Sequence, residues 1–208
     1  MSVGVRRTVA GQLRLIVSLW SLCAAAVLSM SPRPADAADT VVPGAEAPVV
    51  GGPFTLIDQD GRTVTGETYR GKWLLVYFGY THCPDTCPMA LGNIDAALAQ
   101  LDAGTRARIQ AIFVTVDPER DTPAVMKDYV GAFPEAGIIG LSGTPEQVAM
   151  IEKAYRVFVQ RHDAHDGDYS MDHTSVIHIM DPTGTFAGLV SDLMGTGRLA
   201  ARLRQLVN

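Results

Sequence analysis

An α/β sandwich is the architecture this sequence predicts, on three observations. Two β-rich runs, Trp73–Gly79 and Ile109–Val116, lack hydrophobic alternation, as expected of strands covered on both faces. Segments of helical spacing follow them, two opened by a Thr-Pro pair, Thr122-Pro123 and Thr144-Pro145, in which a capping residue precedes a first-turn proline. An Asp-Gly turn, Asp60-Gly61, sits between two short apolar runs and marks a hairpin ahead of the first long strand.

In chain order, the first 37 residues read as an export signal. Arg6, Arg7 and Arg14 form a basic opening without an acid, Leu15–Met30 carries no charge, Pro32 ends the run, and Ala35-Asp36-Ala37 offers a cleavage site. The uncharged run is 16 residues, long for a signal core and slightly short of the roughly 17 to 25 that span a bilayer. Cleaved signal and retained membrane anchor (residues 15–30) both remain open. Either way the positive-inside rule places the domain on the outer side, which for a bacterial chain is the periplasmic face of the inner membrane. Cys23 lies in this run with Leu22 before it, where a lipidation site needs a small residue.

Residues 38–48, with Pro43 and Pro48 and no periodicity, read as a linker, leaving 49–208 as the folded domain. Phe54–Ile57 and Arg62–Val64 form the hairpin. Trp73–Gly79 is the first buried strand, and Leu91, Ile94, Leu98 and Leu101 mark the helix after it. Ile109–Val116 is the second buried strand; helices are expected over Pro123–Phe133 and Glu146–Tyr155. Ser175–Met180 and Phe186–Val190 are strands joined by Asp181-Pro182-Thr183-Gly184, and Leu199, Leu203 and Leu206 mark a closing helix.

Charge excludes one class of partner. The chain has 17 Lys and Arg against 22 Asp and Glu; residues 1–37 hold four of those Arg and one Asp, so the remainder has 13 and 21 and a formal charge of −8. No basic patch interleaved with aromatics is present, so nucleic acid is not an expected partner.

Cysteine usage points to chemistry. Three cysteines cannot staple a scaffold, and two of them, Cys83 and Cys87, follow the first buried strand, at the end where open α/β sheets place their sites. Pro84 suits the first helical position, which would make Cys83 the N-cap, with Cys87 about one turn inside and both thiols acidified by the helix start. Residues four apart on a helix have Cβ atoms roughly 5 to 6 Å apart, wider than the 3.8 Å or so of a disulfide. A metal bridged by two thiolates tolerates that span, so the spacing favours metal without forbidding a disulfide.

Two cysteines need a third ligand. His82 adjoins Cys83 but immediate neighbours on a turn point apart; His162 and His165 lie in a polar stretch, Gln160–Tyr169, that reads as a solvated loop; His178 falls mid-strand. His173 is the best placed, provided that the strand after it neighbours the one leading to Cys83. Periodicity alone leaves that choice open.

Three segments together resemble the Sco/SenC family of copper-binding, thioredoxin-like proteins that serve cytochrome c oxidase assembly. They are Phe78-Gly79-Tyr80-Thr81-His82-Cys83-Pro84-Asp85-Thr86-Cys87-Pro88, Val116-Asp117-Pro118-Glu119-Arg120-Asp121-Thr122-Pro123, and Asp172-His173-Thr174 with Met180-Asp181-Pro182-Thr183-Gly184. The resemblance implies a thioredoxin-like three-layer sandwich with a central mixed β-sheet and an added N-terminal β-hairpin. It implies copper, Cu(I) and also Cu(II), held by the thiolates of Cys83 and Cys87 and an imidazole nitrogen of His173. It implies as partners the copper-bearing subunit of the oxidase, and a second copper chaperone or a thioredoxin-like reductant. Soft thiolates with imidazole agree with that metal. Asp172 either orients the imidazole or is merely exposed, and Asp117 and Asp121–Pro123 read as loop and cap rather than ligands. Thr174 departs from the family, which commonly has Ser there.

Two functions of different class use the same residues. One is a metallochaperone that passes copper to client cysteines; the other is a thiol-disulfide oxidoreductase in which Cys83 and Cys87 cycle as a redox-active pair. A peroxidase is disfavoured by Val76 and Tyr80, which occupy the places where peroxiredoxins carry Pro and Thr or Ser, and a structural zinc site would want a fourth ligand.

Overall fold

The computed structural model describes residues 49–164 and 167–207. The export signal or anchor, the linker, Cys23 and His165 lie outside the described residues. Among the described residues no helix is long and apolar enough to cross a membrane.

Strands β1 (Thr55–Asp58) and β2 (Thr63–Thr65) form the expected hairpin, and a 3₁₀ turn over Gly66–Tyr69 leads to β3 (Trp73–Gly79). Helix α1 (Thr86–Ala99), a short α2 (Ala103–Ala107), β4 (Ile109–Thr115), α3 (Pro123–Val130), β5 (Ile139–Ser142) and α4 (Pro145–Tyr155) follow. A hairpin of β6 (Val159–Asp163) and β7 (Tyr169–His173) precedes β8 (Val176–Met180), β9 (Phe186–Ser191) and α5 (Thr196–Val207). Thr122 and Thr144 cap α3 and α4 as their Thr-Pro pairs predict, accepting hydrogen bonds from Val125 N and Gln147 N.

Seven strands form one mixed sheet in the order β2-β1-β5-β4-β3-β8-β9, with β3, β4 and β5 parallel and the other pairings antiparallel. Alternation along β3 sorts the two faces. Tyr77 packs with Phe113, and Phe113 with Tyr129 of α3, on the face that also takes α1; α5 lies along α1. Phe78 points the other way, against Tyr155 of α4 and His178 of β8. The result is the three-layer α/β sandwich expected, and the Asp-Gly hairpin extends its sheet at one edge.

Two expectations are corrected here. The described part of Gln160–Tyr169 is largely exposed, as expected, but it is not a loop throughout: Gln160–Asp163 belong to β6 and Tyr169 begins β7, the strands of a separate two-stranded sheet. Helix α1 begins at Thr86 with Asp85 at the N-cap position, where its side chain makes no capping hydrogen bond, so Cys83 is not the N-cap and Cys87 is the second helical residue rather than a full turn inside. Asp85 has φ −134°, outside the helical range, and Cys83 instead sits in a turn closed by its amide on the Tyr80 carbonyl. Strand β5 was not expected at all. Its Gly140 lets the strand approach α3, since a Cβ there would lie 3.2 Å from the Met126 methyl.

Candidate metal centre

The antiparallel pairing of β8 with β3, in which Tyr77 faces Ile177, brings the start of β8 beside the carboxyl end of β3. That register supplies the proviso attached to His173. At the end of β7 and three residues before the start of β8, His173 has its Nε2 3.5 Å from Cys87 Sγ. Two bonds of about 2.3 and 2.0 Å, the lengths typical of thiolate and imidazole on a small divalent ion, span that separation at an angle of roughly 109°.

The imidazole is held in one tautomer. Its Nδ1–H donates to the Thr174 carbonyl at 3.1 Å, so Nε2 carries the lone pair and accepts from the Cys87 thiol. Thr174 also pairs with Phe158 in both directions, its N–H on the Phe158 carbonyl at 3.0 Å and its Oγ1 accepting from Phe158 N at 2.9 Å. The orienting group is therefore a backbone carbonyl fixed at the base of the β6–β7 hairpin. Asp172 is exposed and pairs with Nε2 of His162 at 2.9 Å. The rings of Tyr77 and Tyr80 meet His173 nearly perpendicularly, with centroids 6.2 and 6.1 Å away. Burial lowers the His173 pKa, so the ring is neutral and ligand-competent at pH 7.

Cys87 is fully buried, and this overturns half of the expectation for the thiols. Burial pushes its pKa up, against hydrogen bonds from the Tyr80 backbone and the Tyr77 hydroxyl that favour the anion. In the metal-free protein Cys87 holds its proton. Cys83 is partly exposed, and its sulfur accepts from the Cys87 amide at 3.4 Å, satisfying one orphan N–H of the α1 start. Both cysteines are free thiols. Cys87 and His173 are thus in contact and Cys83 is one hydrogen bond away; as the side chains stand, no three His, Cys, Asp or Glu among the described residues converge closely enough to hold an ion.

The other histidines are elsewhere. His82 is exposed beside Thr81, His162 is on the outer part of the hairpin, and His178 is buried with its Nε2–H on the Tyr155 carbonyl at 3.1 Å. Asp121, expected as cap structure, has a larger part. Buried between the loop and β4, its carboxylate accepts from Thr81 N at 3.1 Å, Thr81 Oγ1 at 2.6 Å and Thr115 Oγ1 at 2.6 Å. It ties down the segment that presents Cys83.

Two thiols and an imidazole gathered at the carboxyl end of an interior strand of a three-layer α/β sandwich define a thioredoxin-like protein with a soft-donor site. The chain belongs to the SCO1/SenC family, whose model matches residues 42–208. Among relatives, SCO1 homolog 1, mitochondrial, of Arabidopsis thaliana is 40% identical over 144 residues, 69% of this chain and 43% of that protein. The human SCO1 homolog, mitochondrial, is 37% identical over 158 residues, 75% of this chain and 52% of that protein. The matched region is about half the length of these curated relatives. Of solved structures, Bradyrhizobium japonicum ScoI with copper bound superposes with a TM-score of 0.70 at 43% identity, covering 76% of this chain and 99% of that one. Yeast Sco1 with copper bound gives 0.70 at 34% identity, covering 77% and 89%.

Proposed function

We propose that this protein is a copper metallochaperone. Its cargo is one copper ion, taken by the sulfurs of Cys83 and Cys87 and Nε2 of His173 and delivered to the dinuclear copper site of a cytochrome c oxidase subunit. The observation that carries the reading is the 3.5 Å approach of Cys87 Sγ to an imidazole whose lone pair is aimed at it by the Thr174 carbonyl. The soft donor set suits Cu(I), and its imidazole also accommodates Cu(II). Relatives whose structures are described with copper bound support the choice of metal. On taking copper, Cys87 gives up the proton that burial now keeps on it. Partial exposure of Cys83 leaves one sulfur open to an incoming client thiolate, so the ion can pass by stepwise ligand exchange. The work is done outside the cytoplasm, on the periplasmic face of the bacterial inner membrane, to which the basic opening and uncharged run of residues 1–30 direct the chain.

The two free thiols favour a second reading, reduction of a client disulfide. Cys83 would attack one client sulfur, Cys87 would resolve the mixed disulfide, and two electrons and two protons would pass to the client as Cys83 and Cys87 became a disulfide. One experiment separates the two readings. The Cu(I)-loaded full chain is mixed anaerobically with the copper-free domain of the oxidase subunit, its cysteines reduced in one arm and oxidised in the other. Copper leaving this chain for the reduced client is the expected result. Retained copper in the first arm, with client disulfide reduction by the metal-free chain in the second, would replace the chaperone reading by the reductase one.

A further inference from the structure

Hairpin β6–β7 carries His173, yet its sheet is separate from the seven-stranded one. Two-stranded hairpins are marginal alone in water, so side chains must hold this one against the body. Tyr169, Met171 and His173 share the inward face of β7, with Ser170 and Asp172 exposed between them. Tyr169 and His173 therefore mark the two ends of one rigid segment about 13 Å long.

The Tyr169 end is gripped by the loop after β4. Its ring lies between two guanidinium groups, Arg120 at 3.6 Å from the centroid and Arg161 of β6 at 3.5 Å. Arg120 Nη1 donates to the Tyr169 carbonyl and to the Asp168 carboxylate, both at 3.0 Å, and Arg120 Nε to Asp117 at 2.5 Å. Asp117 is buried and also accepts from the Tyr169 hydroxyl at 2.7 Å. Two elements, one hairpin strand and one loop of the sheet, are thus joined through a closed ring of three side chains. The exposed Arg161–Glu119 pair is a second tie, of the kind that contributes little. Arg120 also faces the Tyr80 ring at 5.8 Å, the same ring whose plane stands perpendicular to His173.

We infer that Arg120 and Tyr169, closed by Asp117, act as positioning residues that hold β7 in the register placing His173 Nε2 against Cys87. The inference deepens the copper-site reading and rests on it for its affinity arm. The test is a double-mutant cycle in the full chain, solubilised in detergent, read as Cu(I) affinity against a competing chelator. Tyr169→Leu removes the ring while leaving the Asp117–Arg120 pair intact. It should weaken binding by about tenfold to a hundredfold, the range for loss of a group that orients a ligand. Added to His173→Ala it should cost nothing further, because its effect runs through that imidazole. Arg120→Met should behave alike, and where it fails to fold by circular dichroism Tyr169→Leu decides. Equal losses in both backgrounds, or no loss in either, would overturn the clamp. A second readout needs no copper. The imidazole nitrogen NMR signals of His173 in the metal-free chain should show an Nε2 that accepts from the Cys87 thiol, and Tyr169→Leu should move that nitrogen towards its value without the hydrogen bond. Unchanged signals would overturn the clamp even if the chain bound no copper, whereas an altered spectrum without copper binding would leave the clamp standing and remove the chaperone reading.

Discussion

Replacing His173 by Ala should weaken Cu(I) binding by more than a hundredfold while leaving the fold and the two thiols in place. In the proposed site the ring donates to the metal directly, so its removal should exceed the roughly 10- to 100-fold typical of losing a group that merely orients a ligand. Fold stability should change far less. His173 sits at the end of β7, outside the main sheet, and its protein contacts are the edges of Tyr77 and Tyr80, the Cys87 sulfur and one backbone carbonyl. A Cys83–Cys87 disulfide should still form in the variant, because neither sulfur depends on the imidazole for its position. Competition titration together with thiol counting checks both halves. Unchanged copper affinity would remove His173 from the ligand set.

Gly79→Ala should damage the site from beneath. Gly79 ends β3, and a Cβ built there would lie 2.7 Å from Cys87 Sγ and 2.9 Å from Cε2 of Phe113, both inside contact distance. Phe113 is fully buried between Tyr77 and Tyr129, so its ring has little room to withdraw. The strain therefore falls largely on Cys87, whose sulfur has to shift from the position in which it meets His173 Nε2. Overpacking of this kind costs about 1–3 kcal/mol, and here copper affinity should fall with stability. Chemical denaturation and copper titration of one preparation measure both. A variant with native copper affinity would show that Cys87 has a second rotamer compatible with the site.

Much of this was legible in the sequence because the cues were local. Asp60-Gly61, Thr122-Pro123 and Thr144-Pro145 carry their structure in adjacent residues, and the runs WLLVYFG and IQAIFVT are predominantly apolar at the β3 and β4 positions they occupy. The β6–β7 hairpin was hidden because β6 exposes four of its five residues and β7 buries tyrosine, methionine and histidine rather than aliphatics. Strand β5 was hidden by its brevity and by Gly140. At the site, the proposed ligands Cys83, Cys87 and His173 stand in motifs, but their electrostatics do not. Spacing placed Cys87 at a helix start, where thiols are acidified; only the packing of Gly79 and Phe113 around it reveals a burial that reverses the sign. The group orienting His173 is a main-chain carbonyl and leaves no mark in the sequence. Asp121 and Arg120 stood in a quoted motif, but what they grip, Thr81 and Tyr169, lies about forty and fifty positions away.

Anaerobic titration of the reduced full chain with Cu(I) against a competing chelator, with Cys83→Ala alongside, tests the central claim most directly. One copper bound tightly per chain, and lost in the variant, is the predicted result. A folded chain with both thiols free that takes no copper from the chelator would contradict it.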